Sequence, residues 1–415
     1  MTAPTVSPPQ RATAGVLRWL TDAGRALAAP AGSVIFAFVV GGVLVAVTGG
    51  NPITAYQGLA CGGVGLFCAN GETPALQIST TIVFATPLIL TGLSVAIAFR
   101  SGLFNIGAEG QLIMGAIACT VVGVRFADAP AWVLLPLVLI AGTLAGALWG
   151  GIVGVLKAVT GAHEVVTTIM LNYVAQWFLR FLIIGGPLQL PNGFSTSSPI
   201  GTGADLPTFL PQSHTVTLFG LPEAVYRAHT GLIVSLAAAA FYAFLLKRTA
   251  LGYEIRAVGQ SHRAARYAGV SVRRTIIVSM LIAGAFAGLA GAVQVAGIDH
   301  NLTDKYFTDT TGFDAIAVAL LGQGAALGIV ISAFLFGALH AGGSVMQADA
   351  GVSGNLVLVL QALILFSIAA NFLMTIKFRL PGLGRAPDSP ADVATTAGPP
   401  GEEPNPALVD SQNTA

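Results

Sequence analysis

Apolar runs alternate with short polar breaks along this chain, and ten can be placed, at roughly 33–49, 78–99, 103–124, 131–157, 164–186, 230–247, 275–297, 312–322, 325–345 and 355–376. About twenty apolar residues cross the ~30 Å hydrocarbon core as a helix, and in lipid such a run must satisfy its own backbone hydrogen bonds. The pattern predicts an all-α polytopic membrane protein with about ten transmembrane helices, some of them short or broken. The stretch 312–345 is too long for one crossing and short for two, and is expected either as a half-helix, a break and a full helix or as two short passes.

Composition agrees with the pattern. The 415 residues are 54% hydrophobic and 9% charged, against about 25% charged in soluble domains. The formal charge of +1 and the lack of a long basic tract give no support to nucleic-acid binding. Lys and Arg concentrate in cytoplasmic loops, so their positions orient the chain. With both termini inside, Arg100, Lys157, a 247–274 loop and Lys377, Arg379 and Arg385 all face the cytoplasm, while the 187–229 extracytoplasmic loop has a single basic residue, Arg227. Three parts are expected: a cytoplasmic segment 1–30, a membrane domain 31–378 and a tail 379–415. Arg11, Arg18 and Arg25 recur every seven residues, either on a short interfacial helix or in a disordered basic leader. The Pro-rich, acidic tail is expected to be disordered.

Polar residues inside the apolar pattern are the candidate chemistry. "FRSGLFNIGAEGQ", Phe99 to Gln111, interrupts two apolar runs with Gly102, Gly107 and Gly110. An ionisable group at the bilayer centre costs ~2.5–3.5 kcal/mol, so Glu109 must face protein or water. Asn105 and Glu109 are expected on one helix face, either beside a polar path or in a tight cytoplasmic turn with Glu109 capping the next helix. "GAHEVVTTIMLNYVAQ" puts Glu164, Thr167, Thr168, Asn172 and Gln176 on one helical stripe. His163 and Glu164 suit a helix cap; Asn172 suits either the path or a hydrogen bond between helices. The candidate pathway residues are Asn105, Glu109, Gln111, Thr168, Asn172 and Gln176. Asp299, Asp304, Asp309 and Asp314 form an acidic outer stretch, either a docking surface for a soluble binding protein or a solvated loop. Cys61 and Cys68 lie in "CGGVGLFC", read as a small glycine-closed loop that holds either a disulfide or two free thiols; Cys119 is expected to be packing.

Between Lys247 and Thr275 seven Lys or Arg residues stand against one acid, Glu254. "SHRAARYAGV" predicts a short helix with a smooth face of Ala264, Ala265 and Ala268, flanked by Arg263 and Arg266 and stopped at Gly269. Such a face suits close docking of another protein. "GYEIRAVGQSHRAARYAGV" resembles the cytoplasmic coupling segment of bacterial ABC importer permeases of the ribose, nucleoside and branched-chain amino-acid group. "SGLFNIGAEGQ" and "GAHEVVTTIMLNYVAQ" resemble, more narrowly, one of the two permeases of nucleoside importers, and the likeness runs over roughly 76–376. It implies coupling residues Tyr253, Glu254, Arg256, Gly259, Arg263, Ala264, Ala265, Arg266, Ala268 and Gly269. It also implies two ATP-binding subunits, a second permease, an extracytoplasmic substrate-binding lipoprotein and a bacterial plasma membrane. The Cys61–Cys68 insertion, the long 187–229 loop, the acidic tail and "GQGAALGIV", with no proline before its glycine, depart from the family pattern.

Other chemistries find little support. The sequence has no GxxxxGK[ST] phosphate loop, so ATP would be used by partner subunits and this chain would carry no cofactor. "GVSG", Gly351 to Gly354, matches a rhomboid-type nucleophile motif, but no histidine follows Ser353 to act as base, and HExxH is absent. No catalytic or metal-ligating set is expected. Ribose-type sugars or branched-chain amino acids are the alternative substrates, and a stand-alone secondary carrier is the more distant alternative.

Overall fold

The computed structural model describes residues 30–68, 74–191, 193–209, 227–308 and 310–377. The expected interfacial helix with Arg11, Arg18 and Arg25, the whole 379–415 tail, and Asp309 lie outside them. Residues 1–369 form one compact unit; of the second, 370–415, only the end of one helix is described. In chain order the helices are α1 (Pro30–Val47), α2 (Pro52–Val64), α3 (Pro74–Arg100), α4 (Ala108–Arg125), α5 (Ala131–Thr160), α6 (Glu164–Ile183) and α7 (Gly231–Arg248). Then follow α8 (Ala250–Gln260), α9 (His262–Tyr267), α10 (Val272–Gln294), α11 (Lys305–Thr308), α12 (Thr311–Leu321), α13 (Ala326–Ala350) and α14 (Leu356–Lys377).

Among the described residues eight helices are long and apolar enough to cross a membrane: α1, α3, α4, α5, α6, α7, α10 and α13. The eleven-residue α12 and the 22-residue α14 account for the rest of the ten apolar runs. Of the alternatives for 312–345, the structure takes the half-helix, break and full helix. The eleven residues of α12 span about 16 Å; a turn with Gln323 at φ 53° and Gly324 at φ 61° follows, and then the 25-residue α13.

Lipid offers no hydrophobic drive between helices, so close backbone approach and van der Waals packing must hold them together. At the centre α4, α5 and α10 cross on glycines. Gly142 and Gly146 of α5 lie on Gly284 and Gly288 of α10, and Gly115 of α4 lies on Gly288, with no room for a Cβ at any of them. The opposite side of α5 leaves Leu137, Leu144, Leu148 and Ile152 exposed, as suits a lipid face.

Two elements escape the apolar pattern. Residues 52–64 form a helix, so "CGGVGLFC" is not a simple loop: Cys61 sits on α2 and is disulfide-bonded to Cys68 just beyond its end. Asn51 is the missed signal, since it caps Ile53 N–H at 2.9 Å with Pro52 at the first helical position. The described part of the 187–229 loop is pinned over the end of α10. Ser197 N–H bonds to Leu302, Ile200 N–H to His300 and Leu206 N–H to Ala296 carbonyls, at 2.8–2.9 Å.

Candidate functional site

The segment 101–107 does not continue into helix as expected. Gly102 takes φ 77°, a left-handed conformation that favours glycine, and α4 starts only at Ala108. Asn105 is therefore not on a helix face with Glu109. Its side-chain carbonyl accepts from Gly107 N–H at 3.0 Å, a local bond that competes with helix. The same side chain pairs reciprocally with Gln111 at 3.0 and 3.1 Å, and its amide nitrogen also reaches Ser94 Oγ of α3 at 3.2 Å. From α6, Asn172 accepts Gly110 N–H and donates to the Ile106 carbonyl, both at 2.9 Å, which ties α6 to the first turn of α4. Thr168, buried one turn earlier, donates to the Glu164 and Val165 carbonyls of its own helix. Gln176 is half-buried and outside this network among the described residues.

Glu109 caps a neighbouring helix rather than its own. Its Oε2 accepts the Gly312 N–H of α12 at 2.7 Å, and Gly312 packs on the Glu109 backbone without room for a Cβ. At the other end of α12, Arg100 donates to the Gln323 and Gly324 carbonyls at 3.1 Å, and the Tyr242 hydroxyl of α7 joins it on Gly324 at 2.8 Å. The half-helix is thus held by a carboxyl oxygen at its positive N-terminal end and by a guanidinium at its negative C-terminal end, both from one ten-residue stretch of chain.

Helix rise places the break well inside the helix ends. Ser94 lies six residues, about 9 Å, from Arg100; Asn172 lies eight residues, about 12 Å, from Glu164; Gly312 lies ten residues, about 15 Å, from Gly322. Asn105, Glu109, Gln111, Thr168 and Asn172 are all buried. The network is a sealed polar layer inside the bundle, not a surface turn.

The ends of these helices carry the remaining charges. His163 occupies the N-cap position of α6 without a side-chain cap bond, and Glu164 instead pairs with Lys157 at 2.7 Å, closing the α5–α6 turn. In the coupling segment α9 is capped by Ser261, which accepts Ala264 N–H, and Gly269 at φ 80° stops it. Ala265 is buried against the protein's own helices, so the free small-residue face is Ala264 and Ala268, beside exposed Arg263 and Arg266 and a 94% exposed Tyr267. The preceding helix, α8, escaped the sequence reading although Thr249 caps Gly252 N–H and Gly252, Ile255 and Val258 recur at helical spacing on its buried side. Of its expected coupling residues Tyr253 is exposed and Glu254 and Arg256 are half-buried; Gly259 is packed on the Arg100–Gly102 backbone with no room for a Cβ. The acidic stretch is not a free surface. Asp299 binds Lys305 at 2.7 Å and Tyr306 at 2.8 Å, Asp304 binds Arg180, and Asp314 binds His340.

Helices long and apolar enough to cross a membrane, with a half-helix and an unwound polar segment buried between them, make up the architecture of a transporter's membrane subunit. The chain belongs to the family described as branched-chain amino acid transport system, permease component, whose model matches residues 77–369. It is 40% identical over 347 residues to the guanosine ABC transporter permease protein NupP of Bacillus subtilis, covering 83% of this chain and 94% of that one. It is 36% identical to the nucleoside ABC transporter permease protein NupB of Lactococcus lactis, covering 85% and 93%. It is also 36% identical to the glucose ABC transporter permease protein TsgB13 of Haloferax volcanii, covering 88% and 92%. No solved structure matches it. The chain is a transport permease and not an enzyme.

Proposed function

We propose that this chain is the membrane subunit of an ATP-driven ABC importer that carries nucleosides inward across a bacterial plasma membrane. The observation that supports it most directly is its likeness to guanosine and nucleoside permeases, at 40% and 36% identity along most of its length. In this reading both termini and the α8–α9 segment are cytoplasmic. Two ATP-binding subunits dock on α8–α9, a second related permease completes the path, and an extracytoplasmic lipoprotein delivers the solute.

Closure of the ATPases displaces α8–α9. Gly259 lies directly on the Arg100–Gly102 backbone, so the displacement reaches the polar break without a flexible linker. Arg100 and Glu109 hold the two ends of α12, and the half-helix moves with the break. As the layer opens, Asn105, Glu109, Gln111, Thr168, Asn172 and Gln176 offer hydrogen bonds to a polar solute.

The test is uptake by vesicles holding the complete transporter, with labelled adenosine competed by guanosine, ribose, glucose and leucine. ATP-dependent adenosine uptake blocked by guanosine and not by leucine is expected. Uptake that needs no ATPase and follows an ion gradient would refute the importer. The glucose permease relative favours a second reading, a sugar importer, and competition by glucose alone would select it.

A further inference from the structure

Outside the sealed layer, a second polar cluster opens at the midplane. On α3, Phe84 lies ten residues, about 15 Å, below Pro74, and on α13 His340 lies ten residues, about 15 Å, below Ala350. These helices are 27 and 25 residues long, so the two counts from separate helices put both side chains near the middle. The rings stack with centroids 5.6 Å apart and an 18° interplanar angle. His340 Nε2–H donates to Asp314 Oδ2 of α12 at 3.1 Å, and Thr310 Oγ–H donates to the same oxygen at 3.3 Å. Both bonds use Oδ2; Oδ1 carries none among the described residues.

The cluster is open rather than sealed. Phe84 is 40% exposed on a helix whose next fourteen residues are all buried, and the Asp314 and His340 side chains retain 14% and 27% exposure. Polar groups at this depth do not face lipid, since ionisable side chains are costly there and face cavities or protein, where they mark solute paths. The opening therefore lies on the path side, beside the start of the half-helix, the place where transporters with discontinuous helices hold their cargo.

We propose that Asp314, His340 and Phe84 form a solute-contact site at the midplane that recognises a ribose-bearing aromatic solute. The free Asp314 oxygen accepts hydrogen bonds from ribose hydroxyls, His340 holds the carboxylate in place, and the exposed Phe84 face takes the flat base. Asp314 lies two residues beyond Gly312, whose N–H is held by Glu109, so a solute bound here touches the element that the break controls. The site rests on the nucleoside reading above.

The experiment compares adenosine with 2′,3′-dideoxyadenosine, which lacks both ribose hydroxyls, in vesicles holding the complete transporter. The binding protein is the same in every arm, so a change in the ratio of the two kcat/KM values reports the permease. Asp314→Asn lowers the adenosine-to-dideoxyadenosine ratio roughly tenfold, the size of a lost charge-assisted hydrogen bond. Phe84→Leu weakens both solutes alike. His340→Gln, which can still donate to Asp314, keeps most of the ratio, with assembly of each variant checked by size-exclusion chromatography. An unchanged ratio in Asp314→Asn, or equal losses for both solutes, overturns the site. If the wild type carries no adenosine, it is the nucleoside reading that fails instead, and the same variants are then scored with glucose against 2-deoxyglucose.

Discussion

Arg100 and Glu109 stand nine positions apart and grip opposite ends of one eleven-residue helix. The Arg100 bonds are charge-assisted, worth about 1.5–3 kcal/mol when well formed, and both side chains meet the helix at the end whose unsatisfied groups match them. Glu109→Gln keeps an acceptor for Gly312 N–H, so it should lower the thermal midpoint of the purified transporter less than Glu109→Ala does. Equal midpoints for the two variants would mean that the carboxylate is not acting as a cap. Arg100→Gln leaves two helix-terminal carbonyls without their cation, and uptake per ATP hydrolysed should fall about tenfold, within the usual range of coupling between sites, with Arg100→Lys in between. A parallel fall in hydrolysis and uptake would point to lost assembly rather than lost coupling. Asn105, Gln111 and Asn172 were visible in the sequence as misplaced polar residues. Their partners, Ser94, the Ile106 carbonyl and Gly110 N–H, were not, because side chains meet across helices only once those helices are packed.

At the scale of elements, the ten apolar runs were legible because all but the half-length α12 nearly fill a membrane crossing and only helix could satisfy their backbone. The helices α2 and α8 were not, since neither is a long apolar run and both announce themselves only by a cap, Asn51 and Thr249. The crossing of α4, α5 and α10 was equally hidden: its glycines are scattered through the sequence and become a set only when backbones touch. Gly288→Leu would need the Gly142 and Gly146 backbones to move apart, beyond the ~1–3 kcal/mol of ordinary overpacking. Little or no folded transporter should be recovered from membranes. Gly32→Leu, facing open space on α1, should give normal yield, and equal yields for the two would deny the crossing its structural role.

For the whole molecule, α8–α9, the α3 end and the α12–α13 turn lie together at one end of the bundle, joined by Gly259 on the Arg100–Gly102 backbone and by Arg100 on Gly324. Replacing Arg263 to Ala268 with a Gly/Ser stretch should abolish both ATPase assembly and uptake while membrane insertion stays intact, measured by co-purification, transport and carbonate extraction. Normal uptake would show that the segment only orients the chain. The sequence by itself determined the membrane class, the irregularity of 312–345 and the polar character of the 99–111 break. Those properties follow from hydropathy and length, which lipid reads locally. Only the tertiary structure decided that the break is sealed at depth, that Glu109 caps α12 rather than its own helix, that Ala265 faces inward, and that Asp314 meets His340 beside Phe84. Each of these depends on which residue of another helix arrives opposite, and that is set by packing between segments far apart in the chain.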